Sequence, residues 1–89
     1  MNTNKLEIPN EWQFNHEKTK IVRSFPLKSY FKGLNFLQVI GWLAQKNNHH
    51  PDISLSFSEL KIELTTHDKG NSVTEKDIQL AKLINEQWF

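Results

Sequence analysis

The sequence predicts an α+β domain in which a four-stranded antiparallel sheet carries two helices on one face, in the order β-β-α-β-β-α. Three observations lead to this fold class. Two segments alternate apolar and polar residues with period two, a long central segment repeats apolar residues at helical spacing, and a second helical segment follows near the C-terminus. We expect residues 1–10 to form a loose lead-in and residues 11–89 to form a single domain.

The first hairpin is predicted between Glu11 and Phe25. Trp12 and Phe14 alternate with polar neighbours, residues 15–19 supply a polar turn, and residues 21–25 are rich in residues that favour strands. Pro26 should stop the second strand after Phe25.

A long helix is predicted to begin after Ser29, whose hydroxyl can accept hydrogen bonds from the first free backbone amides. Asn47-Asn48 should end it. Its apolar face is wide enough to suggest contacts on two sides, and is formed mainly by Tyr30, Leu34, Leu37, Ile40 and Ala44.

The second hairpin is predicted from two runs of alternating residues separated by a turn at Ser58-Glu59. The first run carries Ile53, Leu55 and Phe57 on one face, and the second carries Leu60, Ile62 and Leu64. The last helix should then begin at Thr74, because Thr74 to Asp77 resembles a capping box. Ile78, Ala81 and Ile84 give this helix a buried stripe.

Composition limits the classes of function. A domain of 89 residues buries only about 60–65% of its unfolded surface, so we expect a homodimer or homotetramer. The net charge is +1 and no block of like charge occurs, which argues against direct binding of nucleic acid. The chain has no cysteine, which excludes disulfides and thiolate metal sites.

The N-terminus lacks the apolar core of a signal peptide, and no apolar run approaches the roughly 18 residues of a membrane span. We therefore expect a cytoplasmic protein that does not enter membranes.

Three histidines are the candidate functional residues. His49 and His50 follow the long helix, His67 follows the second hairpin, and the hairpin should bring His67 back beside the other two. Imidazole has an unperturbed pKa of roughly 6.5, so such a cluster is suited to acid–base chemistry near neutral pH. Pro51 stiffens the backbone after His50 and should help to preset the geometry.

Other interpretations of these residues remain open. The histidines could be ordinary polar residues at the ends of elements. They could also bind zinc together with Asp52, although neither helical ligand spacing nor a thiolate is present. Asp77 has a sufficient structural reason as a helix cap. The tryptophans, at positions 12, 42 and 88, are interpreted as packing or subunit contacts.

The sequence resembles the pterin-4a-carbinolamine dehydratase family. The likeness covers about residues 11–86, and its most specific part is the His-His-Pro, aromatic, Thr-His and Asp pattern. This pattern is carried by His49-His50-Pro51-Asp52-Ile53, Leu55-Ser56-Phe57, Glu63-Leu64, Thr66-His67, Thr74-Glu75 and Asp77.

The resemblance implies loss of water from 4a-hydroxytetrahydropterin to give quinonoid dihydropterin, without a metal or organic cofactor. It implies that His49 and His67 are the acid–base pair and that His50 binds and orients the pterin. Asn48, Thr65 and Thr66 match substrate-contact positions. Pro51 and Asp77 would be structural residues near the site.

Two local departures from the family pattern affect how far the family's residue roles can be assigned to this chain. Gln45 stands where the family commonly has Glu, and Asn71-Ser72-Val73 stands where Gly-Gly-Leu is usual. Members of the family can also serve as dimerisation cofactors for a transcription factor. A non-catalytic oligomerisation module with a protein partner is therefore the competing hypothesis, and a related pterin is an alternative substrate.

Overall fold

The computed structural model describes residues 7–88 of the chain. It has the element order that the sequence predicts. The strands are β1 (Gln13–Phe14), β2 (Ile21–Pro26), β3 (Asp52–Leu55) and β4 (Glu59–Leu64), and the helices are α1 (Tyr30–Asn47) and α2 (Glu75–Gln87), with a short 3-10 turn at His67–Lys69 before α2.

The four strands form one antiparallel sheet in the order β1-β2-β4-β3. Ile21 pairs with Leu64 and Phe25 pairs with Leu60, and all four side chains are buried. Directly paired residues share a face of the sheet, so this face is the core face. The opposite face carries polar residues such as Lys61 and Glu63.

Both helices contribute to one core on the apolar face of the sheet. Phe36 and Ile40 of α1 are buried in the same cluster as Ile78 and Ile84 of α2. The rings of Phe25 and Phe36 meet edge to face, with centroids 5.2 Å apart. The predicted α+β class, with two helices on one face of the sheet, is therefore confirmed.

The predicted helix starts are also confirmed. Ser29 accepts a hydrogen bond from the Lys32 backbone amide and is the N-cap of α1. Thr74 is the N-cap of α2, and Thr74 and Asp77 complete a reciprocal capping box.

Two strand ends differ from the sequence prediction. Pro26 is the last residue of β2 and pairs with Glu59, because the end of a strand has no further ladder bond that requires a proline N–H. The second turn lies one residue earlier than predicted. Ser56 N donates to Glu59 O at 2.8 Å, so Phe57-Ser58 forms the connection, and Phe57 is 83% exposed at its tip instead of belonging to the strand.

The predicted lead-in is described only in part, since residues 1–6 lie outside the described residues. Ile8 packs against the core cluster, and the Asn85 side-chain amide donates to Asn10 O at 3.0 Å. Trp12 is buried and donates through Nε1 to Asn85 Oδ1 at 2.8 Å. Trp88 packs against Phe25, with ring centroids 4.9 Å apart.

Candidate functional site

The end of α1 places the first two histidines. Asn48 adopts a left-handed conformation with φ 52°, and its backbone amide donates to carbonyls of the last helical turn. His49 N still donates to Ala44 O at 3.1 Å. His49 and His50 therefore leave the helix in a fixed direction, and Pro51 then leads into β3.

The β3–β4 hairpin returns the chain to the same place. Beyond β4, Thr65 and Thr66 are buried, and His67 is exposed at the start of the 3-10 turn. The predicted residues meet here around one cavity of about 330 Å³, lined by Asn48, His49, His50, Thr65, Thr66, His67, Asp68 and Lys76.

Asp77 lies behind this cavity and connects it to the start of α2. Its carboxylate is fully buried, and its Oδ1 lies 2.6 Å from His49 Nε2. Its Oδ2 accepts from Thr66 Oγ1 at 2.8 Å and from the Thr74 backbone amide at 2.9 Å. The sequence-based interpretation of Asp77 as a helix cap is therefore correct but incomplete, because the same carboxylate also holds His49.

The contact with Asp77 determines which nitrogen of His49 can meet a substrate. An ionised carboxylate only accepts hydrogen bonds, so Nε2 carries the hydrogen of this pair. Nδ1 has no protein hydrogen-bond partner among residues 7–88, and 12% of the His49 side chain is accessible. His49 can therefore exchange a proton through Nδ1 while Asp77 balances the charge of its protonated form.

The other two imidazoles have neutral amide partners. His67 Nδ1 lies 2.8 Å from Asn71 Oδ1, and His50 Nε2 lies 3.4 Å from Gln45 Oε1. The second contact is long, so it constrains the His50 ring only weakly. His50 is exposed at the cavity wall, where it can turn towards a bound molecule.

Several residues at the cavity were not predicted from the sequence. Asp68 and Lys76 line it, and Asn71 contacts His67 from outside the lining. Pro51, predicted to lie near the site, is not one of the lining residues. His16 is exposed in the β1–β2 turn and does not line the cavity.

A second hollow, of about 480 Å³, lies on the outer face of α1 and is lined by Gln38, Gly41, Trp42 and Gln45. It is larger than the histidine cavity, but none of these side chains titrates near neutral pH, so it is not suited to proton transfer. Within the described part of the chain, no group of three or more His, Cys, Asp or Glu side chains is arranged to hold a metal ion. Nor does any helix in that part have the length and apolar character needed to cross a membrane.

The comparisons with known sequences agree on one family. The family model described as Pterin 4 alpha carbinolamine dehydratase matches residues 2–87. A protein of Natronomonas pharaonis, provisionally named a pterin-4-alpha-carbinolamine dehydratase, is 38% identical over 82 residues, which are 92% of this chain and 86% of the relative. A provisionally named dehydratase of Aquifex aeolicus is 39% identical over 82 residues, covering 92% of this chain and 80% of the relative.

Solved structures share the fold. The crystal structure of a transcriptional coactivator/pterin dehydratase from Brucella melitensis superposes with a TM-score of 0.81 at 31% identity, over 86% of this chain and 81% of that chain. A pterin dehydratase-like protein identified as a RuBisCO assembly factor in the alpha-carboxysome superposes with a TM-score of 0.72 at 18% identity, over 86% of this chain and 88% of that chain. The second likeness shows the fold alone.

Proposed function

Since this chain belongs to the pterin 4 alpha carbinolamine dehydratase family, we propose that it removes water from 4a-hydroxytetrahydropterin to give quinonoid dihydropterin. The observation that carries this proposal is the convergence of His49, His50 and His67 on one cavity. The reaction breaks the bond between C4a and the hydroxyl oxygen. A proton leaves a ring nitrogen, and another proton joins the hydroxyl, which departs as water.

In this proposal His49 and His67 transfer the two protons, and His50 binds and orients the pterin. Two imidazoles on the wall of one cavity can act on different atoms of the same ring. Asn48, Thr65 and Thr66 would contact the pterin. Of the two hydroxyls, that of Thr66 already bonds Asp77 and Thr74, and that of Thr65 bonds Thr19 O at 2.7 Å, so the threonines would serve mainly as a fixed wall.

The experiment is a dehydration assay on purified protein with 4a-hydroxytetrahydropterin. His49→Ala and His67→Ala should each lower the rate by at least about tenfold, the low end for lost acid–base catalysis. His16→Ala is the matched control, because His16 is exposed and does not line the cavity. Unchanged rates in both cavity variants would exclude the proposed roles. The proposed catalysis uses proton transfer by imidazoles and no metal ion, so a chelator should leave the rate unchanged.

The proposal includes a cytoplasmic homo-oligomer. The outer face of α1 supports self-association, because it exposes Phe31, Leu34 and Trp42, of which Phe31 and Trp42 are 75% and 77% exposed. Gln38, Gly41 and Gln45 lie beside them and add no charge. We call this set of six residues the α1 outer stripe. Three exposed apolar side chains within an uncharged stripe support the proposed interaction surface.

A second candidate function rests on the same stripe. The Brucella melitensis relative is described as a transcriptional coactivator as well as a pterin dehydratase. A non-catalytic scaffold of this fold would bind a protein through the α1 outer stripe and would not need the histidine cavity. Addition of a pterin analogue separates the two functions, since an enzyme should show perturbed histidine resonances and a scaffold should not.

A further inference from the structure

A bridge between its two ends closes the short loop that contains His67. Thr66 and Ser72 form an isolated antiparallel bridge, in which Thr66 N donates to Ser72 O at 2.9 Å. Gly70 and Asn71 are both left-handed, with φ 71° and 57°. Two successive residues of this kind turn the chain back on itself, and Asn is one of the few residues other than Gly that adopts this conformation readily.

This turn brings the Asn71 side chain to the ring of His67. Oδ1 of Asn71 lies 2.8 Å from Nδ1 of His67. A carbonyl oxygen only accepts hydrogen bonds, so the contact requires a hydrogen on Nδ1. In the neutral ring, the lone pair is then on Nε2, which has no protein hydrogen-bond partner among residues 7–88.

We infer that Asn71 is a positioning residue that fixes His67 in the Nδ1–H tautomer and thereby makes it the base of the proposed dehydration. The role of His67 as a base rests on the proposed function, whereas the assignment of its tautomer does not. His67 would accept the proton of the pterin ring nitrogen through Nε2, and His49, which is charge-balanced by Asp77, would give a proton to the departing hydroxyl. Solvent then restores both rings.

A neutral partner matters for this division of roles. The Asn71 amide orients the imidazole without adding charge, whereas Asp77 adds a negative charge beside His49. The titratable or charged groups that share the cavity wall with His67 are His49, His50, Asp68 and Lys76. Asn71 is the residue whose side chain is hydrogen-bonded to the His67 ring, so a charge introduced at position 71 would act on the ring through a direct contact.

The test compares three variants with the wild type. Asn71→Gly keeps a residue suited to a left-handed conformation and removes the amide. Asn71→Asp keeps the shape and adds a charge. Ser72→Ala is the matched control, because it removes the hydroxyl that donates to Lys69 O within the same loop and does not contact His67.

Long-range ¹H–¹⁵N correlation spectra read the tautomer at about pH 8, where an ordinary imidazole is neutral. We expect the Nδ1–H tautomer in the wild type and in Ser72→Ala, and a mixture in Asn71→Gly, together with a loss of about fivefold in kcat/KM, the size of one neutral hydrogen bond. In Asn71→Asp the added negative charge should make the His67 ring take up a proton at a higher pH than in the wild type. The acidic limb of the pH–rate profile should then also move to higher pH.

An Nε2–H tautomer in the wild type would overturn the inference. The inference would also be overturned if Asn71→Gly kept both the tautomer and the rate of the wild type. If the wild type fails to dehydrate the carbinolamine, the proposed function is wrong. The spectra would still decide the role of Asn71, so the two failures are distinguishable.

Discussion

At the scale of single residues, Asp77 serves two parts of the molecule at once. One oxygen of its buried carboxylate meets His49, and the other accepts from the backbone amide of Thr74, the N-cap of α2, and from Thr66 Oγ1. A buried carboxylate is stable only when its oxygens have such partners. The orientation of His49 and the start of α2 therefore depend on the same side chain.

Asp77→Asn should damage both functions. The amide has only one acceptor oxygen, so if that oxygen keeps the Thr66 and Thr74 contacts, the NH₂ group faces His49 and opposes a hydrogen on its Nε2. We expect a loss of about 1–3 kcal/mol in the free energy of unfolding and a lower dehydration rate. Chemical denaturation and the dehydration assay measure the two effects.

Thr74→Ala is the matched control for Asp77→Asn. It removes the hydroxyl that caps α2 and contacts Thr66 Oγ1, which should cost about 1 kcal/mol of stability. The backbone amide of residue 74 can still donate to Asp77 Oδ2, so the contact between His49 and Asp77 should stay in place. Its rate should stay near that of the wild type under conditions where it is folded. Equal loss of rate in both variants would mean that Asp77 acts through stability alone.

At the scale of elements, α1 contains a matched pair of glycines. A Cβ at Gly33 would lie 2.7 Å from Leu27 Cδ1 and 2.7 Å from Leu55 Cδ1, whereas a Cβ at Gly41 would meet nothing within 4 Å. Alanine favours a helix over glycine by up to about 1 kcal/mol at either position. The two sites thus differ in packing and not in intrinsic propensity.

Gly41→Ala should raise the free energy of unfolding by about 0.5–1 kcal/mol, and Gly33→Ala should gain less or lose stability because two leucine side chains must move. Denaturation at two protein concentrations separates this effect from any change in self-association. Equal stabilisation by both substitutions would show that the leucines move at no cost.

The sheet has a pH-sensitive contact on its polar face. Lys20 Nζ lies 3.1 Å from Glu63 Oε1, and Lys61 Nζ lies 3.5 Å from Oε2. The hydrogen bond from Lys20 lowers the pKa of Glu63 below its ordinary value, burial opposes this, and the two lysine charges act with the hydrogen bond. A lowered pKa in the folded state stabilises the fold above the unfolded pKa, and this contribution is lost as the pH falls through the folded pKa.

Glu63→Gln should therefore lower stability at neutral pH and flatten the decline of stability below about pH 5. Thermal unfolding at a series of pH values measures this. Glu86→Gln, which removes an exposed carboxylate near the end of α2, is the control and should keep the wild-type slope. A wild-type slope in Glu63→Gln would place the acid sensitivity elsewhere.

The elements were predictable because each depends on a local pattern: helical spacing in α1, alternation in β3 and β4, and a capping sequence at Thr74. The side-chain contacts between elements depend on loop conformation, which no periodicity encodes. The contact of Asn71 with His67 needs two left-handed residues in succession, and the contact of Asp77 with His49 needs the exact packing of α2 against the end of α1. The convergence of the three histidines was predictable because it needed only the hairpin to fold back.

At the scale of the whole molecule, residues 7–88 leave the α1 outer stripe and the polar face of the sheet exposed. The exposed sheet face is polar. The α1 outer stripe is uncharged and exposes three apolar side chains, and it is the surface that the proposed homo-oligomer would cover.

Phe31→Glu and Trp42→Glu should shift the protein to a smaller species in light scattering coupled to size exclusion, because each places a charge in the contact. Phe57→Glu makes the same chemical change at an aromatic that is 83% exposed but lies in the β3–β4 turn. If only the Phe57 variant dissociated, the interface would lie at the β3–β4 turn and not on α1.

The sharing of Asp77 between helix and imidazole affects which residues can serve as evidence of catalysis in a relative. A lineage that gave up catalysis would be free to replace its imidazoles, yet selection for folding would still retain the aspartate. Its presence in a relative is therefore poor evidence of turnover. Under the proposed roles, the residues at the positions equivalent to His49 and His67 are the informative ones.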